Sequence, residues 1–138
     1  MNDNIHASCV ELNHKGILIL GDSGSGKSDL CLRLIFYHQA KLVADDRVNI
    51  KIESNYINAQ APKNLQGLLE IRGIGISKFD FLEQTTINLV IKLTNKPLER
   101  MPQKSSINIL GKMLPLIKIN PFELSAPCKI IIALRSLC

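Results

Sequence analysis

Gly21-Asp22-Ser23-Gly24-Ser25-Gly26-Lys27-Ser28 is the stretch on which the reading of this chain turns. It fits G-x-x-x-x-G-K-[ST] at every fixed position. The glycines let the backbone turn so that successive N–H groups point inward at a phosphate. The positive end of a helix beginning near Lys27 adds to them. In this pattern the lysine reaches the β- and γ-phosphates and the Ser28 hydroxyl ligates Mg2+. The flanks agree. Ile17-Leu18-Ile19-Leu20 predicts a buried strand before the loop. Leu30, Leu32, Leu34 and Ile35, with charged Asp29 and Arg33 between them, predict a short helix ending near His38. All eight residues from Gly21 to Ser28 are therefore expected to hold a nucleoside triphosphate, where a chance glycine-rich turn would lack this strand–loop–helix order.

Upstream, Ile5 to Leu12 alternates loosely and reaches the turn Asn13-His14-Lys15-Gly16, predicting a hairpin with the buried strand. Downstream, Lys41-Leu42-Val43-Ala44 reads as a strand stopped by Asp45-Asp46. Val48–Ile52 and Tyr56–Ala59 read as a meander, and Ala61–Asn64 as a loop. Thr86–Leu93, Leu114–Ile119 and Lys129–Leu134 read as further strands, with an exposed polar loop from Thr94 to Ser106. With no repeat and no linker, 138 residues make one α/β domain, richer in strand than in helix.

Composition narrows the function classes. The chain is 46% hydrophobic and 21% charged, which argues against disorder. Aromatics are only 4%, so the core must be aliphatic. No apolar run approaches the length of a membrane span, and Met1-Asn2-Asp3-Asn4 does not open a signal peptide, so a cytoplasmic protein without membrane contact is expected. Cys9, Cys31, Cys128 and Cys138 have no metal-ligand spacing and are expected to be reduced and structural. Residues 1–90 hold nine basic and ten acidic side chains, against eight basic and two acidic in residues 91–138. That cationic third could steer an acidic partner or be a solvated face. It lacks the interleaved aromatics of single-strand binders, and no nucleic acid is expected.

Asp45 and Asp46 follow a strand at the sheet edge where α/β proteins bind ligands. Neighbours on a strand end point to opposite sides, so the two carboxylates should have different tasks. One can act on the proton of an attacking hydroxyl. The other can hold a water on the metal or bond Arg47. Glu70 and Arg72, two apart on an expected strand, share a face and suit either metal binding with charge stabilisation or a plain ion pair. His6, alone on a terminal strand, reads as structural from its neighbours. Thr94-Asn95-Lys96-Pro97-Leu98 has leucine where a guanine-reading loop needs aspartate, which argues against a GTPase.

Together, Ile5-His6-Ala7-Ser8, the glycine-rich loop, Leu42-Val43-Ala44-Asp45-Asp46-Arg47-Val48 and Glu70-Ile71-Arg72-Gly73-Ile74-Gly75 resemble, in order and in spacing, the catalytic domain of HPr kinase/phosphorylase. The resemblance is strong over about residues 5–95 and weaker beyond. It implies an ATP- and Mg2+-dependent enzyme that phosphorylates a serine of the phosphocarrier HPr and can remove the phosphate by phosphorolysis. It implies a P-loop mixed sheet similar to phosphoenolpyruvate carboxykinase. Residue by residue, Asp45 matches the carboxylate that accepts the serine proton, Lys27 the phosphate-binding lysine, and Ser28 and Glu70 the Mg2+ ligands. His6 matches an active-site histidine, and Asp46 and Arg72 lie in segments implicated in catalysis. A hexamer is the family's usual assembly.

Three departures from the family stand out. The chain begins at the catalytic domain, without the usual N-terminal domain. Asn120-Pro121-Phe122-Glu123-Leu124-Ser125 stands where the family has Pro-Gly-Arg-Asn before a last strand, so an active-site arginine is missing. The chain stops at Cys138, without the family's C-terminal helices. Short forms of this kind resemble those of alphaproteobacteria, and phosphorolysis is the activity these departures weaken most. The alternatives to an HPr-type kinase are a P-loop kinase for a small molecule and a catalytically reduced ATP-binding regulatory module.

Overall fold

The computed structural model describes residues 2–137. In chain order its elements are β1 (Asn2–His6), β2 (Ser8–Leu12), β3 (Lys15–Leu20), α1 (Lys27–His38), β4 (Lys41–Ala44), β5 (Arg47–Glu53) and β6 (Tyr56–Gln60). A 3-10 turn (Lys63–Leu65) leads to β7 (Leu68–Ile71) and β8 (Gly75–Lys78). Then come β9 (Thr85–Leu93), β10 (Ser105–Ile109), β11 (Lys112–Ile119) and α2 (Ala126–Arg135). Among the described residues the strands form a nine-stranded mixed sheet and a separate two-stranded hairpin, β7–β8.

The long strand β9 is the spine. One edge pairs with β3 in parallel, from Ile87 to Lys92. The other edge is shared: Thr85 and Thr86 pair antiparallel with β6, and Val90 to Leu93 pair in parallel with β11. Both parallel neighbours therefore end at the same edge, where the glycine-rich loop leaves β3. Asn88 is an extra residue in β9, a bulge opposite the Gly16–Ile17 step, and its side-chain Oδ1 accepts the Gly16 N–H at 3.2 Å in place of a ladder bond.

Each sheet face has its own apolar layer. On one, Ile17, Ile19, Leu89, Ile91 and Ile119 pack under α1, α2 and Leu69 of the hairpin. On the other, Leu18, Val48, Ile50, Ile57, Val90 and Leu114 meet as the sheet curls on itself. Helix α1 buries Lys27, Leu30, Cys31 and Leu34, the i, i+3, i+4, i+7 spacing of a single stripe.

Several boundaries differ from expectation. Ile5–Leu12 is two strands that break at Ala7, with β1 pairing β5 and β2 pairing both β3 and β4. Lys129–Leu134, read as a strand, lies in helix α2, so Asn120–Ser125 precedes a helix. The run Ile130-Ile131-Ile132 has β-branched side chains but no alternation. Its buried positions Ala126, Ile130 and Leu134 fall four apart, Pro127 sits in the first turn, and Lys15 Nζ donates to the Leu134 carbonyl at the last. Arg72 belongs to the turn between β7 and β8, not to a strand shared with Glu70. Cys9 and Cys31 are buried, and burial pushes both thiols well above their ordinary range, as inert structural cysteines require. Cys128 is a free thiol, as expected, though exposed on α2, and Cys138 lies outside the described residues.

Candidate active site

Helix α1 begins directly from the glycine-rich loop, with Gly26 at its N-cap in the left-handed region (φ 103°). A Cβ at Gly26 would also come within 3.2 Å of Pro121. Gly26→Ala should therefore cost about 1–3 kcal/mol of backbone strain, lower Tm and reduce ATP affinity, as thermal melting and nucleotide titration would register. At the other end of the loop, a Cβ at Gly21 would fall 2.4 Å from Ser25 Oγ. That hydroxyl is buried and has no hydrogen-bond partner among the described residues, an open position inside the loop that an anion's oxygen can fill.

Lys27 is only 6% exposed. Its ammonium donates to the carbonyls of Gly21 at 2.7 Å and Asp22 at 2.9 Å, closing the loop on itself. Burial pushes its pKa below the ordinary value, against the opposing attraction of Asp45, Asp46 and Asp22. A cation that has lost much of its hydration is ready to exchange those carbonyls for phosphate oxygens.

The two aspartates divide as adjacency predicts, and a strand irregularity decides which goes where. β4 carries one extra residue against β2: Cys9 pairs with Ala44, but Val10 pairs with Leu42. Leu42 turns to the helix side, whereas Val43 and Ala44 both turn to the other face. The bulge shifts the alternation by one, so Asp45 returns to the helix side. There its carboxylate is 5% exposed and accepts from Ser8 Oγ at 2.6 Å and from Ser28 Oγ at 2.8 and 3.0 Å. Asp46 adopts φ 71° and points out, its side chain 66% exposed. Its ionic neighbour is His6, with Nδ1 at 3.5 Å, and not Arg47. His6 Nε2 is buried without a hydrogen-bond partner among the described residues.

The fold thus gathers Lys27, Ser28 and Asp45 around the start of α1, with the His6–Asp46 pair beside Ala7, whose N–H donates to the Asp46 carbonyl at 3.3 Å. Glu70 and Arg72 lie on a different element. Both are exposed on the β7–β8 hairpin, and neither enters an ion pair or side-chain hydrogen bond among the described residues. For a hard cation the donor chemistry is right at one place: the Ser28 hydroxyl and the Asp45 carboxylate are oxygen ligands within 3.0 Å of each other, beside the phosphate loop.

Two participants escape a reading of the sequence. Ser8 holds Asp45, and only its place after His6 and Ala7 hints at that. Arg33 braces the segment after β11 against the loop, donating to the carbonyls of Pro121 and Glu123 while paired with Asp29 at 3.1 Å. No spacing rule connects residues so far apart in the chain.

The family model of the HPr serine kinase C-terminal domain matches residues 1–133. The chain belongs to this family. Similar HPr kinase family members include the HPr kinase/phosphorylases of Lactobacillus delbrueckii subsp. bulgaricus (40% identical over 102 residues, 67% of this chain and 31% of the relative) and Ralstonia pickettii (34% identical over 127 residues, 83% and 39%). The chain spans between 31% and 39% of the length of these curated relatives. Among solved structures, the Hpr(Ser) kinase/phosphatase from Coxiella burnetii superposes with a TM-score of 0.84 at 29% identity, covering 97% of this chain and 95% of that one. The curled mixed sheet with its glycine-rich loop is thus the fold of the HPr kinase family. Among the described residues, no helix is long and apolar enough to cross a membrane.

Proposed function

We propose that this chain is an ATP- and Mg2+-dependent protein-serine kinase, with phosphorolysis as a weaker second activity, acting on an HPr-like phosphocarrier in the cytoplasm and working as a homo-oligomer, a hexamer by resemblance to the family. The observation that carries this reading is Asp45, a buried carboxylate set beside Ser28 at the head of the phosphate loop.

In this mechanism the loop amides and Lys27 hold the triphosphate. The acceptor serine attacks the γ-phosphorus in line. The new Oγ–P bond forms as the bond to the ADP oxygen breaks, and Asp45 takes the serine proton. In phosphorolysis an oxygen of inorganic phosphate attacks the seryl phosphorus, the Oγ–P bond breaks as the P–O–P bond of pyrophosphate forms, and the same carboxyl returns the proton to the serine. Ser28 would hold Mg2+, with Glu70 as the family's second ligand; when bound, the ion neutralises charge on the β- and γ-phosphates. His6 is paired with Asp46 through Nδ1. Most of the effect comes from positioning and electrostatics, as phosphoryl transfer requires.

The test is incubation with radiolabelled ATP, Mg2+ and an HPr-like phosphocarrier, followed by identification of the labelled residue. Label on a carrier serine is expected. Tight ATP binding with no label on any carrier protein would overturn the reading.

A further inference from the structure

Lys92 and Lys118 stand directly opposite each other where β9 and β11 run parallel. Lys92 is also paired with Leu20, the last residue of β3 before the phosphate loop. Ile91, Leu93 and Ile119 turn to the helix side, so alternation puts Leu20, Lys92 and Lys118 in a row on the other face. The two lysines are therefore about one and two strand spacings, roughly 5 and 10 Å, from the chain entering the loop.

Like charges directly opposite across a ladder repel. A carboxylate nearby would relieve that repulsion, yet among the described residues neither lysine enters an ion pair. The two acids of residues 91–138 are elsewhere: Glu123 pairs with Lys129, and Glu99 lies in the loop after β9. Two exposed, uncompensated ammonium groups thus sit side by side at the edge where the phosphate loop begins. The neighbouring segment Asn120–Ser125 contributes no cationic side chain of its own.

Resting on the phosphoryl-transfer reading above, we propose that Lys92 and Lys118 form a second anion subsite, which takes the phosphate dianion entering or leaving the phosphate loop. Two point charges on adjacent strands can each meet a different oxygen of one tetrahedral group. The ligand is a phosphate oxyanion, whether the terminal group of a triphosphate or free inorganic phosphate. ADP, whose terminal phosphate already occupies the loop, does not need the pair.

The test compares the intact chain with its Lys92→Gln/Lys118→Gln variant, titrating Mg-ADP, Mg-ATP, and inorganic phosphate onto the ADP-saturated protein. ADP affinity should stay within about twofold, while phosphate affinity should fall roughly tenfold or more, the scale of a lost charged contact. A fall for ATP but not for phosphate would identify the terminal group of the nucleotide as the ligand; a fall for phosphate alone would identify the free ion. Either supports the pair. Unchanged affinity for both would overturn it. With repulsion removed the double variant should melt no lower than the parent. If it does melt lower, Lys92→Arg/Lys118→Arg decides the matter: retained phosphate affinity supports the subsite, and loss overturns it. An unaltered chain that binds neither ATP nor ADP would instead defeat the kinase reading.

Discussion

Asp45→Asn should reduce phosphoryl transfer to serine by roughly 10²–10⁴-fold, the usual contribution of a positioned general base, while leaving ATP affinity within a few fold. The variant separates chemistry from binding because the amide keeps the size of the carboxylate and can still accept from Ser8 and Ser28, but it cannot take a proton. Burial sharpens the contrast. At 5% exposure, with three short contacts from two hydroxyls, Asp45 has little room to be replaced by a water or a neighbour. Asp46, exposed and directed at His6, is on the wrong side to substitute. Initial rates of carrier phosphorylation, set beside an ATP titration, provide the check. Undiminished transfer would remove Asp45 from the role of base; a parallel collapse of ATP binding would make it a structural anchor of the loop.

Lys27→Ala should weaken ATP binding and stop transfer together. Each charged contact to a phosphate is worth about 1.5–3 kcal/mol, so ATP affinity should drop by one to two orders of magnitude. The transition state, which carries more charge on the transferred group, should lose roughly 10²–10³ more. The substitution also frees the Gly21 and Asp22 carbonyls that the ammonium now bridges. Calorimetry with ATP and single-turnover transfer would measure the two losses separately. Retained triphosphate affinity in a folded variant would contradict the assignment of the loop.

Much of this was open to a reader of the primary structure, for identifiable reasons. The loop from Gly21 to Ser28 is legible because phosphate binding by main-chain amides demands glycine at fixed places. β3, β4 and β9 are legible because buried strands need unbroken aliphatic runs. Helix α2 is not, since three isoleucines in a row satisfy either geometry until packing chooses one. Nor is the double pairing of β9, which depends on contacts between distant residues. Arg72 on a turn shows the same limit, because glycine at 73 and 75 permits a hairpin that i, i+2 spacing alone does not announce. Adjacency alone separates the roles of Asp45 and Asp46 without saying which is inward; the family resemblance points to Asp45, and the surplus residue in β4 supplies the physical reason.

That surplus residue, Val43, carries a lesson about how such an enzyme could be broken or rewired. The acid that faces the glycine-rich loop is selected by counting along the backbone, not by anything intrinsic to either side chain. Pairing β4 with β2 residue for residue, at the same length but without the bulge, would keep both aspartates in place in any written comparison, yet would present Asp46 to the loop and turn Asp45 to the opposite face. Two homologues can therefore share every acidic letter of this motif and still differ in which one does the work.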